Sequence, residues 1–388
     1  MKKQRYKTAL IAAALALTAL PPKAQAANFD TVFETGPLAY EHPRFGVSVE
    51  KLADDIYLMR RIPSWRTWVQ ANVTVIVNET DVIVVDGGGP VHVENIVAEI
   101  KKITDKPVSA VITTHWHQDH NWGNHIYRAA WPGLQIISHE KTRETLIHRD
   151  KALVNRPKVT DEMMAKAKAA GTADARERLE KAKADGLAPA VITLLEDNLA
   201  GIDEVTEAYR RIQSGPADIT FRDRLVLERG ARSIEVLFLG RANTDGDAVI
   251  WLPGEKIAIA GDIVVRPTPY GFYSYPLDWA DTLDRIKALG FTTLVPGHGP
   301  VMHDSAYIDA LAVLMRDLTA QAKIAVAEGA SSAEEVKAAI DWSAHDQAIT
   351  GGDPLLSYLF DKWFKTPISV SAFKEAKGEP IPQYEVEK

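Results

Sequence analysis

The densest cluster of reactive side chains in this 388-residue sequence is His115-Trp116-His117-Gln118-Asp119-His120. Three imidazoles and a carboxylate follow directly on the apolar run that starts at Val108. In extended backbone, residues i and i+2 point to the same side, so His115 and His117 reach one cation together. A tight turn after them brings Asp119 and His120 to a second position beside the first. Four buried ionisable side chains repel one another or stay undersatisfied unless a cation compensates them. Imidazole and carboxylate suit zinc, and also iron or manganese. The sequence has no cysteine, which excludes thiolate ligands and disulfides.

Such a cluster needs a rigid support. Asn72-Val-Thr-Val-Ile-Val-Asn78 turns at Glu79-Thr80 into Val82-Ile-Val-Val-Asp86, a hairpin of β-branched residues that runs into Gly87-Gly88-Gly89. Residues 47–60 also read as strand. Val93, Ile96, Val97 and Ile100 fall at i, i+3, i+4 and i+7, which predicts a helix over 91–104. The strand Val108 to Thr114 then carries the histidines at its C-terminal end, the usual place for an α/β active site. Residues 140–211 read as largely helical. Met163 to Ala184 shows little apolar face, so 141–211 is expected to be a solvated helical insertion. Strands are predicted at 219–227, 233–239, 247–252, 256–260 and 292–295. Helices are predicted at 279–289, 305–328 and 332–340. A hairpin-rich half with a helix thus occurs twice, at about 47–139 and 216–304. Residues 341–388, with Gly351, Gly352 and several prolines, read as an extended C-terminal appendage.

The H-x-H-x-D-H run resembles that of the metallo-β-lactamase superfamily, and further motifs match in the same order. They are Asp86 at the end of the hairpin, Gly240-Arg-Ala-Asn-Thr-Asp-Gly-Asp247, Gly261-Asp262, and Pro296-Gly-His298-Gly299. The resemblance covers about 47–304. It implies an α/β fold of the four-layer αββα sandwich type, with a hydrolase domain over 27–340, and metal-dependent hydrolysis. Carried over residue by residue, it places His115 and His117 at site one. Asp119, His120 and His298 fall at site two, Asp262 bridges the sites, and Asp86 supports the histidine loop. One or two zinc ions per chain are expected. One position departs from the pattern: the third histidine of site one falls on Asn243, whose amide oxygen is a weaker zinc donor than imidazole. Site one is therefore expected to be loose, tuned to another metal, or empty. Asp245 is close enough in sequence to substitute, but reads as a turn residue. Asp262 stands where the well-known lactamase groups carry cysteine or serine, and where members that cleave esters, lactones or phosphodiesters carry aspartate. That weakens the expectation of lactamase activity without touching hydrolysis in general.

The expected chemistry is hydrolysis in which a cation lowers the pKa of water toward neutrality, with Asp119 orienting the nucleophile or taking its proton. Trp65 and Trp68, with Arg66, either grip an amphipathic substrate or cap the edge of the core. Tyr270, Tyr273 and Tyr275 either offer a hydroxyl to an oxyanion or pack; Tyr273 is taken with the two tryptophans as a substrate contact. Three function classes follow. The first is a hydrolase of a cyclic amide or ester, β-lactams included. The second is a phosphodiesterase or sulfatase, for which Arg66, Arg241 and Arg266 are the basic candidates. The third is a non-catalytic metal-binding relative, which Asn243 favours and the retained Asp119 and Asp262 oppose.

The composition, 46% hydrophobic and 25% charged, is that of a globular protein with ample material for a core. Lys2, Lys3, Arg5 and Lys7 precede an apolar run from Ala9 to Leu20, and Ala24-Gln25-Ala26 offers a cleavage site. Residues 1–26 are thus expected to be a signal peptide, and the mature protein periplasmic or secreted. Removing five positive charges (Lys2, Lys3, Arg5, Lys7, Lys23) and no negative one takes the formal charge from −7 to −12. An acidic surface without a basic run speaks against nucleic acid and for a small-molecule substrate. No later segment is apolar enough for stable membrane insertion.

Overall fold

The computed structural model describes residues 46–61, 69–150 and 159–384. Val73–Val77 (β3) and Val82–Val85 (β4) are buried along their whole length, as strands covered on both faces must be. They are central in a seven-stranded sheet whose order follows the chain. Its other strands are β1 (Ser48–Ala53), β2 (Ile56–Arg60), β5 (Val108–Ile112), β6 (Gln135–His139) and β7 (Ile219–Phe221). β1 to β4 run antiparallel, and β4 to β7 run parallel. A parallel pair needs a crossover, and the Val93–Ile103 helix supplies the one between β4 and β5. A five-stranded sheet contains, in order, β12 (Thr293–Val295), β11 (Ile257–Ile259), β10 (Val249–Leu252), β9 (Arg232–Leu237) and β8 (Arg224–Arg229).

Alternation sorts the side chains into layers. Ile76, Ile83 and Ile112 of the first sheet meet Val236, Ile250 and Ile259 of the second in the core between the sheets. On the other face of the first sheet, Val75, Val84 and Val111 pack with Val93, Ile96, Val97 and Ile100, the four positions that predicted the helix. Each such aliphatic side chain contributes about 1.5–3 kcal/mol on burial. The helices Pro276–Ala288 and Ala306–Ala327 pack on each other and bury Trp279, Leu283, Leu311 and Met315. The Trp279 indole N–H donates to the Ile263 carbonyl at 3.0 Å, which ties its helix to the residues just after β11.

Between β6 and β7 run the helices Glu140–Arg149, Asp161–Ala184, Pro189–Ala200 and Ile202–Arg211. The long Asp161–Ala184 helix buries only Ala175, Leu179 and Ala182, in line with its sparse apolar face. The reading of an extended segment beyond 341 is corrected. Ser343–Thr350, Pro354–Leu359 and Thr366–Ala376 are α-helical, and Phe360–Lys365 forms a π-turn. Gly351, Pro354 and Pro367, which read as loop markers, sit at helix ends. Gly351 ends one helix in the left-handed region, at φ 59°. Asp353 caps the next by accepting from the Leu356 N–H at 2.9 Å, with Pro354 in its first turn. Leu355, Leu359, Phe360, Phe364 and Ile368 are buried, and the last helix packs on Ala306–Ala327 and Ala333–Ala339.

Candidate metal centre

β5 ends at Ile112, and the next residues turn across the carboxyl end of the first sheet. His117 stands at the start of the single-turn helix Gln118–Asn121, which brings Asp119 and His120 round behind His115. Asp262 comes from the turn after β11, and His298 from the loop after β12. That second loop is fastened across the sandwich by Asn72. Its side-chain amide donates to the carbonyls of Pro296 and Gly299 at 2.9 and 2.8 Å, and its backbone N–H to Gly297 at 2.7 Å. A side chain on Gly297 would bring its Cβ to 2.0 Å from Asp262 Oδ1, so only glycine lets the two loops approach this closely.

The six ligand-type side chains form two groups, His115 with His117 and Asp262, and Asp119 with His120 and His298. Asp262 faces both. Its Oδ2 lies 3.5 Å from His115 Nε2 and 3.7 Å from His117 Nδ1. Its Oδ1 lies 3.2 Å from His120 Nε2 and 3.4 Å from His298 Nε2. Asp119 Oδ2 is 3.1 Å from His298 Nε2. Asp262 is 1% exposed, and His115, His120 and His298 are 0% exposed.

The outer nitrogens are held by the protein. His120 Nδ1 is 2.7 Å from Asp86 Oδ2, and His298 Nδ1 is 2.9 Å from the Gln70 carbonyl. Asp86 also accepts from the Thr114 N–H at 2.8 Å and the Thr114 hydroxyl at 2.9 Å. That hydroxyl in turn meets His115 Nδ1 at 3.0 Å. Acceptors on Nδ1 fix the tautomer in which Nε2 carries a lone pair, the arrangement a metal-ligating imidazole needs. To present both carboxylate oxygens, Asp86 adopts φ 63°, a conformation to which aspartate is better suited than most residues.

Among the buried atoms left without a partner are donors that a metal would take. His115 Nε2, Asp119 Oδ2 and both oxygens of Asp262 have no hydrogen-bond partner. Such atoms are costly unless something compensates them. Burial, aided by His120, pushes His115 down to about 3, so it stays neutral. Burial opposes charge on His120 as well, but the carboxylates of Asp262, Asp86 and Asp119 outweigh it and raise its pKa. Burial likewise opposes ionisation of Asp262, and the surrounding histidines, His120 first, hold it well below the usual carboxylate range. The buried Asp262 and half-buried Asp119 carboxylates, faced by imidazole nitrogens that a cation would take in place of a proton, make a donor set that fits divalent cations.

A family profile, the metallo-beta-lactamase superfamily, matches residues 66–298. The chain belongs to that superfamily, whose members are metal-dependent hydrolases. Among curated proteins it is similar to a linear primary-alkylsulfatase of Pseudomonas sp. (strain ATCC 19151), 24% identical over 248 residues. That alignment covers 61% of this chain and 43% of the relative, so the chain spans less than half the relative's length. Among solved structures, a metallo-beta-lactamase from Pontibacter korlensis aligns with 16% identity and a TM-score of 0.47, over 70% of this chain and 100% of that one. The DIM-1 metallo-beta-lactamase aligns with 16% identity and a TM-score of 0.45, over 70% of this chain and 97% of that one. As in the superfamily's fold, the helices and the two sheets form the αββα layers described above.

The remaining candidates fall in several places. Asn243 is buried. Its amide donates to the Tyr270 carbonyl at 2.9 Å, and its Oδ1 has no hydrogen-bond partner. Its loop is tied to the residue before His115 by the Ala248 N–H, which donates to the Thr114 carbonyl at 2.8 Å. Asp245 is not among the grouped ligands and lines a separate cavity with His139 and Arg241. Arg241 pairs with Asp278 at 2.6 Å, and Arg266 is buried beside Tyr307; neither lines the cavity at the metal centre. Trp65, Arg66 and Trp68 lie outside the described residues. The cavity at the centre, about 350 Å³, is lined by Trp116, His117, Asp119, Tyr270, Tyr273 and Trp363, among others. Tyr273 thus lies where a substrate contact is expected. Arg149 also lines this cavity. The sequence offered no sign of it, because it sits at the end of a helix of ordinary charged composition.

Proposed function

We propose that this protein hydrolyses small esters or lactones with an apolar body, using divalent metal held by His115, His117, Asp119, His120, Asp262 and His298. The observation that carries this reading is Asp262, which turns one carboxylate oxygen to each donor group, while His117 and Asp119 of those groups line a largely aromatic cavity. Zinc suits the donor set best, with iron and manganese next. Those residues would hold a cation whose chemistry, when bound, would be to acidify water toward neutrality and to polarise a substrate oxygen. The chain supplies the rest. Asp119 lines the cavity and is assigned the role of orienting the attacking water and receiving its proton. Tyr270, half-buried, packs its ring 5.2 Å from that of His298. Burial, reinforced by the nearby carboxylates, raises its phenol well above the usual value, so it keeps its proton as a donor. The aromatic walls bind the apolar body and exclude water.

A second reading is sulfate-ester hydrolysis. The similarity to an alkylsulfatase and the apolar cavity, which suits an alkyl chain, favour it. β-Lactam hydrolysis is a third substrate class for the same centre. We further propose, from the basic and apolar pattern of residues 1–26, that the protein acts in the periplasm or outside the cell. One experiment sorts the substrate readings: initial rates on aryl esters, lactones, alkyl sulfates and a β-lactam, each with and without a strong chelator. Chelator-sensitive turnover of esters or lactones above the other classes is expected. Turnover confined to alkyl sulfates moves the assignment to the second reading, and turnover that ignores the chelator removes the metal from it.

A further inference from the structure

The cavity beside the metal centre is aromatic along much of its wall, with the guanidinium of Arg149 set among the rings. Arg149 Cζ lies 3.7 Å from the Trp116 ring centroid and 4.6 Å from that of Tyr273. Its Nε donates to the Gln383 carbonyl at 2.5 Å. Among the described residues no carboxylate pairs with it. A guanidinium carries five N–H donors in a planar fork. The two rings are inclined at 65° to each other, so they flank the guanidinium on two adjacent sides rather than stacking on both its faces. Gln383 takes Nε, and among the described residues no acceptor meets the Nη donors.

Gln383 reaches this place from the C-terminal end of the described chain, and it is 4% exposed. Its Oε1 accepts from the Trp116 indole at 2.8 Å. Its Nε2 donates to the Tyr273 carbonyl at 2.7 Å and to the Tyr275 hydroxyl at 3.3 Å. One glutamine therefore holds the guanidinium through its backbone and both flanking aromatic residues through its side chain. Tyr273 has φ 60°, an uncommon conformation for a residue with a side chain, and the bond to its carbonyl helps to keep it there. The flanking residues anchor the strap. Tyr384 stacks on His148 with centroids 4.1 Å apart and donates to Glu144 at 2.7 Å. The Tyr275 hydroxyl donates to the Ile381 carbonyl at 3.1 Å.

We propose that Gln383 is a positioning residue that holds Arg149 as the anion anchor of the cavity, and that the preferred substrate joins an oxyanion to an apolar body. Carboxylate and sulfate both match the fork of a guanidinium, which binds them through paired N–H donors. Aromatic surroundings exclude water and strengthen that contact. The inference rests on reading this cavity as the substrate site.

The test is calorimetric binding of hexanoate, hexyl sulfate and hexanamide to the full-length, metal-loaded protein and to Arg149→Met, Gln383→Ala and Gln383→Glu. Binding is read without turnover, so the result does not depend on which bond the enzyme cleaves. Arg149→Met is expected to weaken hexanoate or hexyl sulfate about tenfold or more, the worth of a charge-assisted contact, and to leave hexanamide within about twofold. Gln383→Ala should move the same ligands in the same direction. Gln383→Glu keeps an acceptor for Trp116 and sets a carboxylate beside Arg149, so it should lose the anions even if the alanine variant folds poorly. The stronger of the two anion responses identifies the oxyanion preferred. Equal losses for anion and amide, or no loss in Arg149→Met, overturn the anchor. A loss in Arg149→Met with none in either Gln383 variant overturns the positioning role. If no ester is hydrolysed yet the anions still depend on Arg149, the proposed function fails and this inference stands.

Discussion

Asp86→Asn isolates the support of the metal centre from its ligands. Asp86 accepts three hydrogen bonds on two oxygens, from the Thr114 N–H, the Thr114 hydroxyl and His120 Nδ1. Asparagine keeps the shape and tolerates φ 63°, but it has a single acceptor oxygen. If that oxygen faces Thr114, the amide NH₂ faces His120 and forces Nδ1 to become the acceptor. The imidazole proton then moves to Nε2, the atom 3.2 Å from Asp262 Oδ1 that the centre needs as a lone pair. If the oxygen faces His120 instead, the buried Thr114 N–H meets a donor. Loss of such an outer-shell partner weakens metal binding about 10- to 100-fold, equivalent to about 1.4–2.7 kcal/mol. The loss should fall on the site holding His120, and more weakly on the His115 site through the Thr114 hydroxyl. Titration of zinc into stripped wild-type and variant protein, read by calorimetry, measures both affinities. An unchanged affinity at the His120 site would refute the tautomer argument.

Chelation should lower the melting temperature by roughly 5–10 °C, since metal at about a hundred times its Kd stabilises by about 2.7 kcal/mol and each kcal/mol shifts Tm by about 2–4 °C in a large domain; a thermal scan with no shift counts against a bound metal. Asn243→His should tighten metal binding at the His115 site and leave the other site unchanged, because imidazole outranks an amide oxygen as a zinc donor; titration showing no change would mean that Asn243 does not face that site. Burial pushes Glu375 from its ordinary 4.5 up to about 7, although it accepts from the Leu277 N–H at 2.9 Å. Its stabilising contribution is therefore full below about 4.5 and lost as pH rises through about 7, so Glu375→Gln, which keeps the acceptor, should lose less melting temperature than wild type between pH 5 and 8. Intact-mass measurement of protein from its native host should give a chain starting at Ala27; a mass that includes Met1 to Ala26 contradicts the signal peptide.

Much of the fold was legible because its signals are local. The hairpin of β3 and β4, the helix after it and β5 announce themselves through β-branched runs and a 3.6-residue apolar spacing, since burial selects those patterns residue by residue. The histidine run was legible for the same reason: several metal donors in one turn have few other uses. The C-terminal helices were misread because Gly351, Gly352 and Pro354 serve equally as loop markers and as caps, and only the surface that buries Phe360 and Phe364 decides between them.

Family likeness alone pointed to Asp262 and His298 as partners of that run, and the local spacing of residues did not. Their approach depends on Asn72 holding the Pro296–Gly299 loop and on Gly297 leaving room for Asp262. Arg149 and Gln383 gave no signal at all. An arginine at a helix end and a glutamine near a chain end are ordinary in sequence, and they become a site only where folding stacks one on Trp116 and bonds the other to the same indole. The sequence by itself determined the elements and the chemical type of the centre, because both are written in short-range pattern. How closely Asp262 and His298 approach that run, and which guanidinium lines the cavity, was decided only by the tertiary structure, because those contacts join residues that the chain separates by up to 267 positions.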